Sequence, residues 1–98
     1  KDQDTEWVGR LFECAVGAEL CRRYDGVTYW REGGAEVDFI VKTPNQLVAI
    51  EVKSGRVKRM DGLERFCQRY KEARPMVFDL MKGERFLNGE PLEAILTR

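Results

Sequence analysis

A chain of 98 residues, 43% apolar and 35% charged, has the size and make-up of one soluble globular domain. Seventeen acids cancel seventeen bases, which argues against binding driven by bulk charge, and no apolar run approaches the roughly 18 residues needed to span a bilayer. With no histidine, Ser-His-Asp and Cys-His catalysis and His-containing zinc sites are excluded, so a general base must be a carboxylate, a lysine or a metal-bound hydroxide.

Residues 1–98 are read as one domain; because the sequence opens on Lys1 rather than Met, it is expected to be a fragment of a longer protein. Cys14, Cys21 and Cys67 form no C-x-x-C pair and are expected to be small buried hydrophobes in a reducing cytoplasm. In chain order, Thr5 is a candidate N-cap for a first helix. Val8, Leu11, Phe12, Ala15, Val16 and Leu20 recur at helical spacing, and the helix should end near Tyr24, before Asp25-Gly26. Val27 to Trp30 reads as a strand, and Glu32-Gly33-Gly34 as a turn. Glu36 to Lys42 alternates, with Val37, Phe39 and Val41 on one face and Asp38 and Ile40 on the other. After a turn at Thr43-Pro44-Asn45-Gln46, Leu47 to Lys53 forms the next strand, with Ala49, Glu51 and Lys53 sharing a face. A helix is expected from about Asp61 to Ala73, broken by Arg74-Pro75, then a strand from Met76 to about Leu80. The tail suggests a short edge strand and a terminal helix. The order is αβββαβ, an α/β domain whose last two strands are joined by a parallel crossover.

Charge is unevenly distributed. Residues 1–52 carry six bases and ten acids, and residues 53–71 carry seven bases against two acids. Arg56, Lys58 and Arg59 follow the third strand directly and are candidates for contacting a phosphate backbone; a solvated helix face explains the same pattern.

The hairpin turn, if centred on Pro44-Asn45, pairs residues whose numbers sum to 89 and sets Asp38 across from Glu51, with Lys53 on the same face. Facing carboxylates are destabilising unless a cation sits between them, and Mg²⁺ or Mn²⁺ suits oxygen donors. The backbone carbonyl of Val52 is a further candidate ligand. Lys53 would orient the attacking water or stabilise phosphate charge. The rival is a salt bridge among Asp38, Lys53 and Glu51 with no metal. Glu13, on the inward arc of the first helix, could reach the metal, a water on it, or Lys53; an edge carboxylate reaching water is its alternative.

Glu13 on a first helix, Glu36-Val37-Asp38-Phe39-Ile40 on one strand and Ile50-Glu51-Val52-Lys53-Ser54 on the next resemble the PD-(D/E)XK nuclease superfamily, with its restriction-endonuclease-like fold. More narrowly, Gly9-Arg10-Leu11-Phe12-Glu13 and Tyr29-Trp30-Arg31, with the same two strands, resemble the DUF4143 domain found at the C-terminus of AAA-type P-loop ATPases. The resemblance covers about residues 5–80. It implies an αβββαβ core with a mixed sheet flanked by helices, and metal-dependent cleavage of DNA in the cytoplasm. Asp38 and Glu51 would be metal ligands, Lys53 catalytic and Glu13 assisting. Two departures stand out: Val37 replaces the superfamily's proline, and the Q-x-x-x-Y motif is absent, Phe66 holding its first slot relative to Tyr70. No G-x-x-x-x-G-K-[ST] occurs, so ATPase activity would belong to another part of the full-length chain. The alternative function is a non-catalytic module that binds DNA or protein for that ATPase. RNA as substrate and an oligomeric state stay open, as does base stacking on Tyr29, Trp30 and Arg31, against core packing for the aromatics.

Overall fold

A computed structural model describes residues 2–53 and 61–96, with side chains from residue 6 onward. Helix α1 (Asp2–Arg23) precedes strands β1 (Gly26–Glu32), β2 (Ala35–Lys42) and β3 (Leu47–Val52). Helix α2 (Asp61–Arg69), strand β4 (Ala73–Phe78) and helices α3 (Leu80–Leu87) and α4 (Leu92–Leu96) follow. The result is an α/β fold: a four-stranded mixed sheet in the order β1-β2-β3-β4, flanked by helices.

Turn chemistry sets the antiparallel register. Gly33 and Gly34 take φ of +57° and +84°, the left-handed pair that matches a two-residue hairpin to strand twist, and Glu32 pairs with Ala35 across it. In the next turn the buried Thr43 hydroxyl accepts from the N–H of Asn45 at 3.3 Å and of Gln46 at 3.0 Å, and the Thr43 N–H donates to Gln46 O at 2.9 Å. Phe39–Ile50 through Lys42–Leu47 pair as a result, each summing to the expected 89. Strands β3 and β4 pair in parallel from Leu47–Ala73 to Val52–Phe78, as the crossover required.

The sheet has a core on each face. On one, Val16 and Leu20 of α1, Phe86 of α3 and Ile95 of α4 pack with Val41, Val48, Ile50, Val52 and Phe78. On the other, Phe66 of α2 packs with Val37, Ile40 and Ala49, and Leu63, Tyr70 and Trp30 close around it. Strand β3 is buried on both faces, which is why it reads as a nearly continuous apolar run.

Several expectations are corrected. Helix α1 already includes Asp2, so Thr5 lies inside it and is not its N-cap. Val8 and Leu11 are exposed, at 62% and 52%, rather than part of the core stripe. Helix α2 stops at Arg69 and Ala73 opens β4; Pro75 is accommodated because β4 is an edge strand. The tail folds as α3 and α4 in place of an edge strand. Asp79 caps α3, its side chain accepting from the Lys82 N–H at 2.8 Å, and Phe86 is fully buried. Cys14 and Cys21 are exposed thiols; Cys67 is half-buried, and that burial pushes its thiol pKa up.

Candidate metal centre

Between Thr28–Ile40 and Trp30–Val37, β1 has one residue where β2 has two, Asp38 and Phe39. This bulge breaks the alternation expected of β2. Phe39 and Val41 join the core under α1, but Val37 joins Ile40 in the core under α2. Asp38, at the crossing point, turns its carboxylate to β3, where Oδ2 accepts from the Val52 N–H at 2.8 Å. In an extended residue the N–H and C=O point the same way, so the Val52 carbonyl also opens towards β2.

Glu51 is 1% exposed. The β3–β4 ladder runs without interruption, so Glu51 shares the α2 face with Ala49, while Ile50 and Val52 face α1. Lys53 continues that ladder, its N–H donating to Phe78 O at 2.8 Å, and its side chain is exposed on Glu51's side. Asp38 Oδ2 thus sits at the Glu51–Val52 peptide, one residue before Lys53, at the end of β3. Glu13 lies one helical turn before Gly17, where a Cβ would stand 2.7 Å from the Phe39 ring, so α1 carries it over β2 on the opposite side of the sheet from Glu51. Glu13, Asp38 and Glu51 each make at least one further interaction.

Arg56, Lys58 and Arg59 lie outside the described residues. The cations that follow them are partly engaged: Arg69 holds Glu32 at 2.6 Å and Arg65 lies 3.8 Å from Asp61. Trp30 packs edge-on against Phe66 at 5.4 Å, whereas Tyr29 is 59% exposed with the Arg31 guanidinium 5.2 Å from its ring centre. Core packing thus claims Trp30, and Tyr29 is left accessible.

The family model for a domain of unknown function, DUF4143, matches residues 8–89, from α1 through α3. The chain belongs to the DUF4143 family. Comparison with curated proteins gives no match, and comparison with solved structures gives none either.

The donors this DUF4143 domain offers at the end of β3 fit a hard divalent cation: two carboxylates and a carbonyl, all oxygen, with Asp38 already drawn to within one peptide of Glu51. Among the described residues no three Asp, Glu or Cys side chains converge on one point, so Glu13 does not complete a carboxylate triad. Sequence reading missed Gly62. A Cβ there would stand 2.0 Å from Glu36 O, so only glycine lets the start of α2 lie against β2 two residues from Asp38. The Asp61-Gly62 pair at a helix start was its signal.

Proposed function

We propose that this domain is a nuclease of the PD-(D/E)XK type that hydrolyses DNA phosphodiester bonds with Mg²⁺ or Mn²⁺. The observation that carries the reading is the Asp38 carboxylate seated on the Val52 N–H, beside the buried Glu51 and immediately before Lys53. Asp38, Glu51 and the Val52 carbonyl would hold the ion. When bound, it lowers the pKa of a water and offsets charge on the phosphate. The exposed Lys53 ammonium is free to reach a phosphate placed there, orienting the attacking water or stabilising the charge that builds on the non-bridging oxygens. Glu13, which α1 carries over the other face of the sheet, has no part in holding the ion in this reading. Arg56, Lys58 and Arg59 follow Lys53 in sequence and would hold the DNA backbone, and an AAA-type ATPase domain in the same full-length protein would be the functional partner.

A second reading, a non-catalytic module of that ATPase, is favoured by the zero net charge and by Arg65 and Arg69 being engaged with the domain's own carboxylates. A Mn²⁺-dependent cleavage assay on single-stranded, duplex and branched DNA separates the two. The nuclease reading predicts Mn²⁺-dependent products that Glu51→Ala abolishes. Lys53→Met should lower the rate by about 10²- to 10⁴-fold. DNA binding without cleavage by the wild type would favour the module.

A further inference from the structure

Asp38 stands outside both strand registers. The β1–β2 pairing steps from Thr28–Ile40 to Trp30–Val37, and the β2–β3 pairing runs from Lys42–Leu47 only as far as Phe39–Ile50. Strand pairing alone therefore does not select the turn that brings Asp38 Oδ2 to the Val52 N–H at 2.8 Å. Two glycines, one from each face of the sheet, press on the residues around it. From α1, a Cβ on Gly17 would stand 2.7 Å from Cζ and 2.8 Å from Cε1 of Phe39, the residue after Asp38. From α2, a Cβ on Gly62 would meet the backbone of Glu36, two residues before Asp38, 2.7 Å from its carbonyl carbon and 2.8 Å from its nitrogen. Non-bonded carbons pack at about 3.5–4.0 Å, so neither helix could lie this close to β2 with a side chain at that position. Neither glycine takes a positive φ, so the missing Cβ, and not backbone freedom, is what both places require.

We infer that Gly17 and Gly62 are positioning residues: α1 and α2 clamp the segment from Glu36 to Phe39 from opposite faces and hold it in the bulged form that aims the Asp38 carboxylate at β3. The two jaws differ in kind. Gly17 acts through the far end of a side chain, so trimming the Phe39 ring relieves a methyl added at residue 17. Gly62 acts on the Glu36 backbone, which no substitution trims. The use of the aimed carboxylate to hold an ion rests on the nuclease reading. The link from the two glycines to Asp38 and Val52 does not.

Hydrogen exchange at single amides, followed by NMR with no divalent ion present, tests this. The Val52 N–H is protected by the Asp38 carboxylate, while Val48, earlier on the same strand and paired with Val41, reports on the sheet as a whole. Gly17→Ala should speed exchange at Val52 by about tenfold or more, the loss of one hydrogen bond to a charged acceptor, and leave Val48 near its wild-type rate. Alanine is the better helix former, so a weakened α1 would not explain such a change. Gly17→Ala combined with Phe39→Leu, which removes the ring atoms nearest residue 17, should bring Val52 back towards the wild-type rate. Gly62→Ala should also speed Val52, and Phe39→Leu should not restore it. Should Gly62→Ala fail to fold, the Gly17 variants still decide. An unchanged Val52 in Gly17→Ala, an equal rise at Val52 and Val48, or a Phe39→Leu that does not rescue would each overturn the proposal. A domain that shows the Val52 pattern but gives no response to Mn²⁺ would sink the nuclease reading and leave the clamp standing.

Discussion

The Val52 N–H points towards β2 at the place where β2 bulges, and the acceptor it meets is a side chain, Asp38 Oδ2 at 2.8 Å. One carboxylate closes a gap in the sheet and, in the proposed reading, would also offer oxygen to a cation. The two roles can be separated. Asp38→Ala leaves the Val52 N–H without this acceptor and should cost about 1–3 kcal/mol in urea unfolding. Asp38→Asn keeps an acceptor oxygen and should cost less than about 1 kcal/mol, while losing the charge that the proposed ion would need. Equal losses for Ala and Asn would mean that the charge of Asp38, not its hydrogen bond to Val52, supports the fold. On α1, hydrogen bonds from Arg22 and then Arg23 hold the Glu19 carboxyl down from its ordinary 4.5 to about 2. A folded-state value below the unfolded one stabilises the protein above about pH 4.5, and that contribution is lost as pH falls towards 2. Glu19→Gln should therefore flatten the stability profile across that acid window; an unchanged profile would remove the Arg22–Glu19–Arg23 cluster from the account.

Among the elements, the β2–β3 hairpin was legible because its turn residues sit at the positions a tight turn demands. Thr43-Pro44-Asn45-Gln46 fixed the register from Lys42–Leu47 to Phe39–Ile50. The bulge was not legible, since it depends on how β1 pairs with β2 and leaves no mark on the alternation of β2 itself. It moved Val37 to the α2 face and put Asp38 between faces. In the tail, Arg85-Phe86-Leu87 resembles a strand locally. The Asp79 cap and the spacing of Gly83 and Phe86 along one face outweigh that once α3 lies on α1. The outward apolar residues of α1 also misled the periodicity, because that helix carries apolar side chains on both sides while the sheet covers only one. The seat of α2 gives a direct test. A methyl at Gly62 would meet the Glu36 backbone at 2.0 Å, so Gly62→Ala should destabilise by about 1–3 kcal/mol and weaken any metal response at Asp38. A neutral Gly62→Ala would mean that α2 does not press on β2 there.

For the whole molecule, the family match spans every element except α4, and no helix among the described residues is long and apolar enough to cross a membrane. The two cores fix where the strand ends lie, so what remains to be tested is whether the end of β3 takes up a cation. The most direct measurement is the melting temperature in millimolar MgCl₂ or MnCl₂ against NaCl of matched ionic strength, for the wild type, Asp38→Asn and Glu51→Gln. At a hundredfold excess over Kd, a bound ion stabilises by about 2.7 kcal/mol. For a domain of this size that is a rise on the order of 10 °C. The account predicts that rise in the wild type and its loss in both variants. A wild type that melts alike in all three salts, or variants that keep the full rise, would contradict a metal held between Asp38 and Glu51.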